Sequence, residues 1–215
     1  IGAGRVVFQD LMRVNNAIAD GSLEQQPILQ EAFALARQDG RKLHLMGLLS
    51  DGGVHALRSH AEALCHMAHR AGVQRIFVHA FTDGRDTDPK SGIGYAERFL
   101  QGVQGTGARV ASVIGRYFAM DRDKRWERVA KAYAGLVHGI GIAVQDPLEA
   151  FRTSYVQGKT DEFIEPHVVV DQHGAPIATI APNDVVVCFN FRTDRCREIT
   201  QALTQQAFPE QGMAP

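Results

Sequence analysis

The sequence predicts an α/β fold, a three-layer sandwich built on a mixed, largely parallel sheet. Two observations carry this reading. Apolar, strand-like runs alternate with amphipathic helical stretches along the chain, the pattern left by parallel strands joined by helices that cover both faces of a sheet. One segment, 166–180, reads instead as a hairpin turning at His173-Gly174, and its antiparallel pairing makes the sheet mixed.

The elements follow in order. Residues 6–20 and 23–38 read as helices parted by Gly21-Ser22, with Ser22 as N-cap. A strand at 42–49 precedes a helix at about 56–71, on which Leu57, Ala61, Leu64 and Ala68 share one face. His66 falls opposite that face and His69 well off it, which predicts that both are solvated. A strand at 75–81 leads to a helix at 91–102, and a strand at 109–114 to a helix at 124–137. A short helix at 147–157, the hairpin, a strand at 184–189 and a helix at 194–206 complete the pattern. The tail at 207–215 holds two prolines and Gly212 without a core pattern, and is expected to fray.

Composition narrows the function classes. The chain has 215 residues, 45% hydrophobic and 22% charged, with a formal net charge of -1. That is ordinary for a soluble globular protein with a sizeable core. A nucleic-acid groove would bring a basic excess that is missing here. No run approaches the roughly 18 apolar residues of a membrane span. Cys65, Cys188 and Cys196 are an odd count without metal-like spacing and read as reduced thiols of a cytoplasmic protein. The opening Ile1-Gly2-Ala3-Gly4-Arg5 lacks a methionine, which suggests a piece of a longer polypeptide.

In an open α/β sheet, ligands bind beyond the carboxyl ends of the strands. Four predicted strands end in charged or glycine-containing turns: Ser50-Asp51-Gly52-Gly53-Val54-His55, Thr82-Asp83-Gly84-Arg85-Asp86, Gly115-Arg116-Tyr117 through Arg122-Asp123, and Asn190-Phe191-Arg192-Thr193-Asp194-Arg195. Together they place His55, Arg85, Asp86, Arg116, Arg122, Arg192 and Arg195 on one edge. Five arginines around one crevice repel one another unless an anion neutralises them, and the planar guanidinium suits bidentate contact with carboxylate or phosphate. Each signal alone has a plainer account. Arg122 in Asp121-Arg122-Asp123 fits a solvated helix start, Arg192 and Arg195 fit surface pairing with Asp194 or Glu198, and Arg85-Asp86 fits an exposed turn. Asp51-Gly52-Gly53 and Asp83-Gly84 form turns in their own right, and Ser50 fits a turn or cap residue. The coincidence of all four at the same strand ends favours a site for a small ligand bearing phosphate and carboxylate.

These segments, in this order, resemble the 2,3-bisphosphoglycerate-independent phosphoglycerate mutase family from residue 1 to about 204. The resemblance implies that residues 1–206 form the inserted domain that grips 2- and 3-phosphoglycerate. His55, Arg85, Arg116, Arg122, Arg192 and Arg195 would bind substrate, and Asp86 would be the acid/base that exchanges protons with the glycerate hydroxyls. It places two Mn²⁺ ions and a transiently phosphorylated serine in a separate phosphatase-like domain, with no cofactor or metal in this chain, which would be inactive alone. The parent enzyme would be a monomer that closes by a hinge between its domains. A dinucleotide-binding module is the less favoured reading, because Gly102-Val103-Gln104-Gly105-Thr106-Gly107 precedes a strand where that motif should follow one. A non-catalytic module that binds a phosphorylated metabolite is the remaining alternative.

Overall fold

A computed structural model describes residues 9–214. Two helices come first, α1 (Asp10–Ala19) and α2 (Pro27–Ala36). Ser22 does not cap α2. Its N–H is taken by Asp20 Oδ1 in a turn (2.9 Å), and the helix waits for Pro27, because a residue before proline is pushed out of the helical region. Gln26 accordingly has extended backbone, and Pro27 occupies the first turn, where its missing N–H costs nothing.

The sheet begins with β1 (Leu43–Leu48), followed by α3 (Arg58–Arg70), β2 (Ile76–Thr82), α4 (Gly92–Gly102) and β3 (Arg109–Gly115). Every residue of β1 and β2, and all of β3 after Arg109, is buried. Residues of both parities are therefore inside, so helices cover both faces, as the unbroken apolar runs of a parallel sheet require. Two short helices follow, α5 (Arg116–Ala119) and α6 (Trp126–Tyr133), then β4 (Ile142–Val144), α7 (Pro147–Val156), β5 (His167–Val169), β6 (Val185–Cys188) and α8 (Arg197–Thr204). The strand order is β4-β5-β3-β2-β1-β6. β6, β1, β2 and β3 run parallel, and β5 runs antiparallel to β3, which makes the sheet mixed, as expected.

Several elements depart from expectation. Residues 124–137 do not form one helix. After Tyr133 the backbone opens into a π-turn (Ala134–His138) that Gly139 ends at φ 64°. The hairpin at 166–180 yields only one strand. Asp171 and Ala175 close the turn (2.8 Å), and a single bridge joins Val170 to Pro176. β5 lies between β4 and β3, and β3 pairs only with His167 and Val168, so the returning segment gains a single bond to β5, from Ile177 N to the Val169 carbonyl (3.0 Å). His66 is half-buried and bonds the Gly102 carbonyl at 2.8 Å, whereas His69 is exposed. The tail is not frayed over its described residues. Trp126 stacks on Phe208 with ring centroids 4.1 Å apart, Phe208 bridges Met213, and Met213 is only 1% exposed. Residues 1–8, which include the first three of the helix expected at 6–20, and the last residue of the expected tail lie outside the described residues.

Candidate functional site

Because β6, β1, β2 and β3 are parallel, their carboxyl ends emerge on one edge, and the four turns meet there. The innermost member is Ser50, fully buried at the end of β1. Its hydroxyl donates to Asp83 Oδ2 at 2.8 Å. Asp83, 1% exposed, also accepts from the backbone N–H groups of Arg85 (3.2 Å) and Asp86 (3.0 Å) and from Arg116 Nη1 (2.7 Å). Burial alone would raise its carboxyl. The Asp86 N–H, the Ser50 hydroxyl and Arg116 outweigh burial and hold it below the usual carboxylate value.

Arg116 opens α5 and is almost fully buried, so its guanidinium direction is fixed. Nη1 bridges Asp83 and Asp86 Oδ2 (2.6 Å), and Nη2 donates to His55 Nε2 at 3.2 Å. Guanidinium only donates, so His55 must accept at Nε2, which leaves it neutral with its proton on Nδ1. Burial, then the neighbouring Arg116, push the His55 pKa down, in keeping with that state. Its Nδ1 faces Asp194 Oδ1 at 3.9 Å, and Asp86 Oδ2 lies 3.6 Å from Nε2.

The rim is more open. Asp194 pairs with both Arg122 Nη1 and Arg192 Nε, each at 3.0 Å. Arg195 is half-buried. It reaches only the Met120 carbonyl (3.4 Å), has no carboxylate partner among the described residues, and keeps a buried Nε without any hydrogen bond. Burial and then Arg122, Arg116 and Arg85 depress its pKa. Arg85 is the outlier, 57% exposed and turned towards Glu162 Oε1 at 3.6 Å.

The structure thus brings His55, Asp86, Arg116, Arg122, Arg192 and Arg195 to one edge, with Arg85 at its margin. Sequence reasoning gave Ser50 and Asp83 a turn role only, and left Asp194 as a surface partner. Asp83 does make the turn, through the Arg85 and Asp86 amides, but it also aims Arg116. A cleft of about 530 Å³ beside β6, lined by Met46, Val137, Ile180 and Leu203 among others, contains none of these residues. Convergent charge marks the arginine edge, and apolar concavity marks that cleft. Among the described residues, no three His, Cys, Asp or Glu side chains gather as a metal site.

Residues 14–214 match the family model described as "BPG-independent PGAM N-terminus". The 2,3-bisphosphoglycerate-independent phosphoglycerate mutase of Flavobacterium psychrophilum is 52% identical over 213 residues, which are 99% of this chain and 42% of that protein. The Thermomicrobium roseum protein of the same name is 54% identical over 215 residues, 97% of this chain and 41% of that protein. A crystal structure of Leishmania mexicana phosphoglycerate mutase, obtained at low cobalt concentration, superposes with a TM-score of 0.87 at 36% identity, covering 96% of this chain and 39% of that one. The chain therefore spans about two fifths of the length of the relatives it matches.

Proposed function

The chain belongs to the N-terminal family of 2,3-bisphosphoglycerate-independent phosphoglycerate mutases, and from that premise we propose that it is the domain that grips 2- and 3-phosphoglycerate for their interconversion in glycolysis. The observation that carries the proposal is Arg195. Five arginines converge, yet the local carboxylates Asp83, Asp86, Asp194 and Glu162 leave Arg195 without one. A ligand bearing phosphate and carboxylate supplies the missing anion.

In this reading, Arg195, Arg192, Arg122 and Arg85 hold the ligand's anionic groups, while Asp83 fixes the buried Arg116, which in turn fixes His55. Asp86 sits against Arg116 with one face half-open, placed to take and return a glycerate hydroxyl proton. Phosphate transfer itself needs a nucleophile and metal. The family resemblance places two Mn²⁺ ions and the serine in a phosphatase-like domain elsewhere in the same polypeptide, as part of a cytoplasmic, monomeric parent enzyme. Among the described residues, no helix is long and apolar enough to cross a membrane.

The test is calorimetric titration of the chain with 3-phosphoglycerate and, separately, with inorganic phosphate. Binding should saturate, exceed that of phosphate, and weaken about tenfold or more in Arg195→Ala, the worth of a charge-assisted hydrogen bond. Equal affinity for 3-phosphoglycerate and phosphate, or no effect of the substitution, would sink the proposal.

A further inference from the structure

The loop that carries Arg85 and Asp86 spans 83–91, and one residue outside it touches both of its ends. Asp161 opens a 3-10 turn (Asp161–Phe163) and has no exposed surface. At the loop's start, its carbonyl accepts from Thr82 Oγ1 at 2.6 Å. At the loop's end, its N–H donates to the Pro89 carbonyl (2.9 Å), and its Oδ2 accepts from Gly92 N (2.7 Å), the first residue of α4. Its Oδ1 accepts from the Tyr155 hydroxyl of α7. The fit is close enough to dictate glycine on both sides. A Cβ at Gly84 would lie 2.8 Å from Glu162 N, and one at Gly92 2.8 Å from the Asp161 carboxylate.

We infer that Asp161 is a positioning residue, a clamp that joins Thr82, Pro89, Gly92 and Tyr155 so that the 83–91 loop presents Arg85 and Asp86 in one geometry. The inference rests on the substrate-gripping role proposed above and deepens it. The neighbours of the carboxylate are Tyr155 on α7, with Lys90 over its ring at 5.6 Å, then Asp83 and Asp88 in the loop and Glu162 beside it, which pairs with Arg85. Burial, with the charges of Asp83 and Asp88, pushes the Asp161 carboxyl up to about 6 against its bonds to Tyr155 and Gly92. The clamp is thus ionised at neutral pH and protonated in mild acid.

Two variants test it, Asp161→Asn and the half-buried Tyr155→Phe, which keeps the fold if the first does not. Hydrogen exchange is followed at the Arg85 and Asp86 amides, both bonded to Asp83 Oδ1. Exchange at these two should quicken about tenfold in Asp161→Asn, and less in Tyr155→Phe, while β1 and β2 amides stay as they are. Affinity for 3-phosphoglycerate should fall about tenfold near pH 7.5, the size of a modest misplacement of site groups. The ratio of variant to wild-type Kd should shrink towards one by about pH 5, where wild-type Asp161 is itself neutral. That ratio is independent of the ligand's own titration. Unchanged exchange at Arg85 and Asp86, quickening shared equally by the whole sheet, or an unchanged affinity where wild type binds, would each overturn the clamp. Loop exchange that responds in a chain with no preference for 3-phosphoglycerate over phosphate would leave the clamp standing and remove the substrate proposal instead.

Discussion

Arg116 shows what one residue is asked to do. It is 4% exposed and shares its guanidinium among Asp83, Asp86 and His55. Burying charge is tolerable only while each member keeps its partner. Arg116→Met strands Asp83 at 1% exposure, so urea unfolding should show a loss of about 3–5 kcal/mol, partly recovered when Asp83→Asn is added. A loss below about 1 kcal/mol would mean that the pair is solvated in ways its burial does not suggest. At this scale most of the site was legible. His55, Asp86 and the five arginines stand in turns that close predicted strands, so their meeting follows from the parallel sheet. Asp194 was visible as an arginine partner, though its link to Arg122, 72 positions away, exists only once the strands are ordered. Asp161 left no mark, because its importance comes entirely from neighbours supplied by the fold.

Between elements, the sheet carries a polar seam. His44 Nδ1 meets His79 Nε2 at 2.9 Å, His79 Nδ1 meets Ser112 Oγ at 2.8 Å, and His44 Nε2 meets Asp184 at 3.2 Å. The seam crosses β1, β2 and β3 with both rings fully buried. Burial brings His44 down to about 4, opposed by Asp184, and pushes His79 well down too. An unfolded histidine takes its proton near 6.5, whereas folded His44 waits until about 4. The contribution to stability is therefore complete above about pH 6.5 and drains away towards pH 4, amounting to about 3 kcal/mol at most. Asp161, raised to about 6, works in the opposite sense over that window. The seam is therefore read as the difference between wild type and His44→Asn in melts taken from pH 7 to 4, a gap that should narrow as the pH falls. A gap independent of pH would show that His44 is charged or solvated in the native state. Unbroken apolar runs marked the long strands, which are buried on both faces, and a helical period marked the helices, which are buried on one. Such patterns missed β4 and the 3-10 turn, which are three residues each, and could not reveal the π-turn, since an apolar face continues through it.

For the whole molecule, the proposed anion grip stands without a metal-ligand cluster among the described residues. The purified chain, freed of host enzyme, should bind 3-phosphoglycerate yet show no mutase turnover in a coupled assay. Robust turnover would place the nucleophile inside this chain. The fold class was readable throughout, whereas the strand order was not, because hydrophobic patterning names strands without saying which ones are neighbours. That order has a bearing on synthesis. β6 comes last in chain order among the strands of this sheet, yet it lies against β1, with Asp184 and Asn190 bonding positions 142 residues earlier. Until the ribosome has released residues up to Asn190, one edge of β1 stays bare and adhesive, and Arg192 and Arg195 have nowhere to stand. The proposed grip therefore cannot form on a half-made chain.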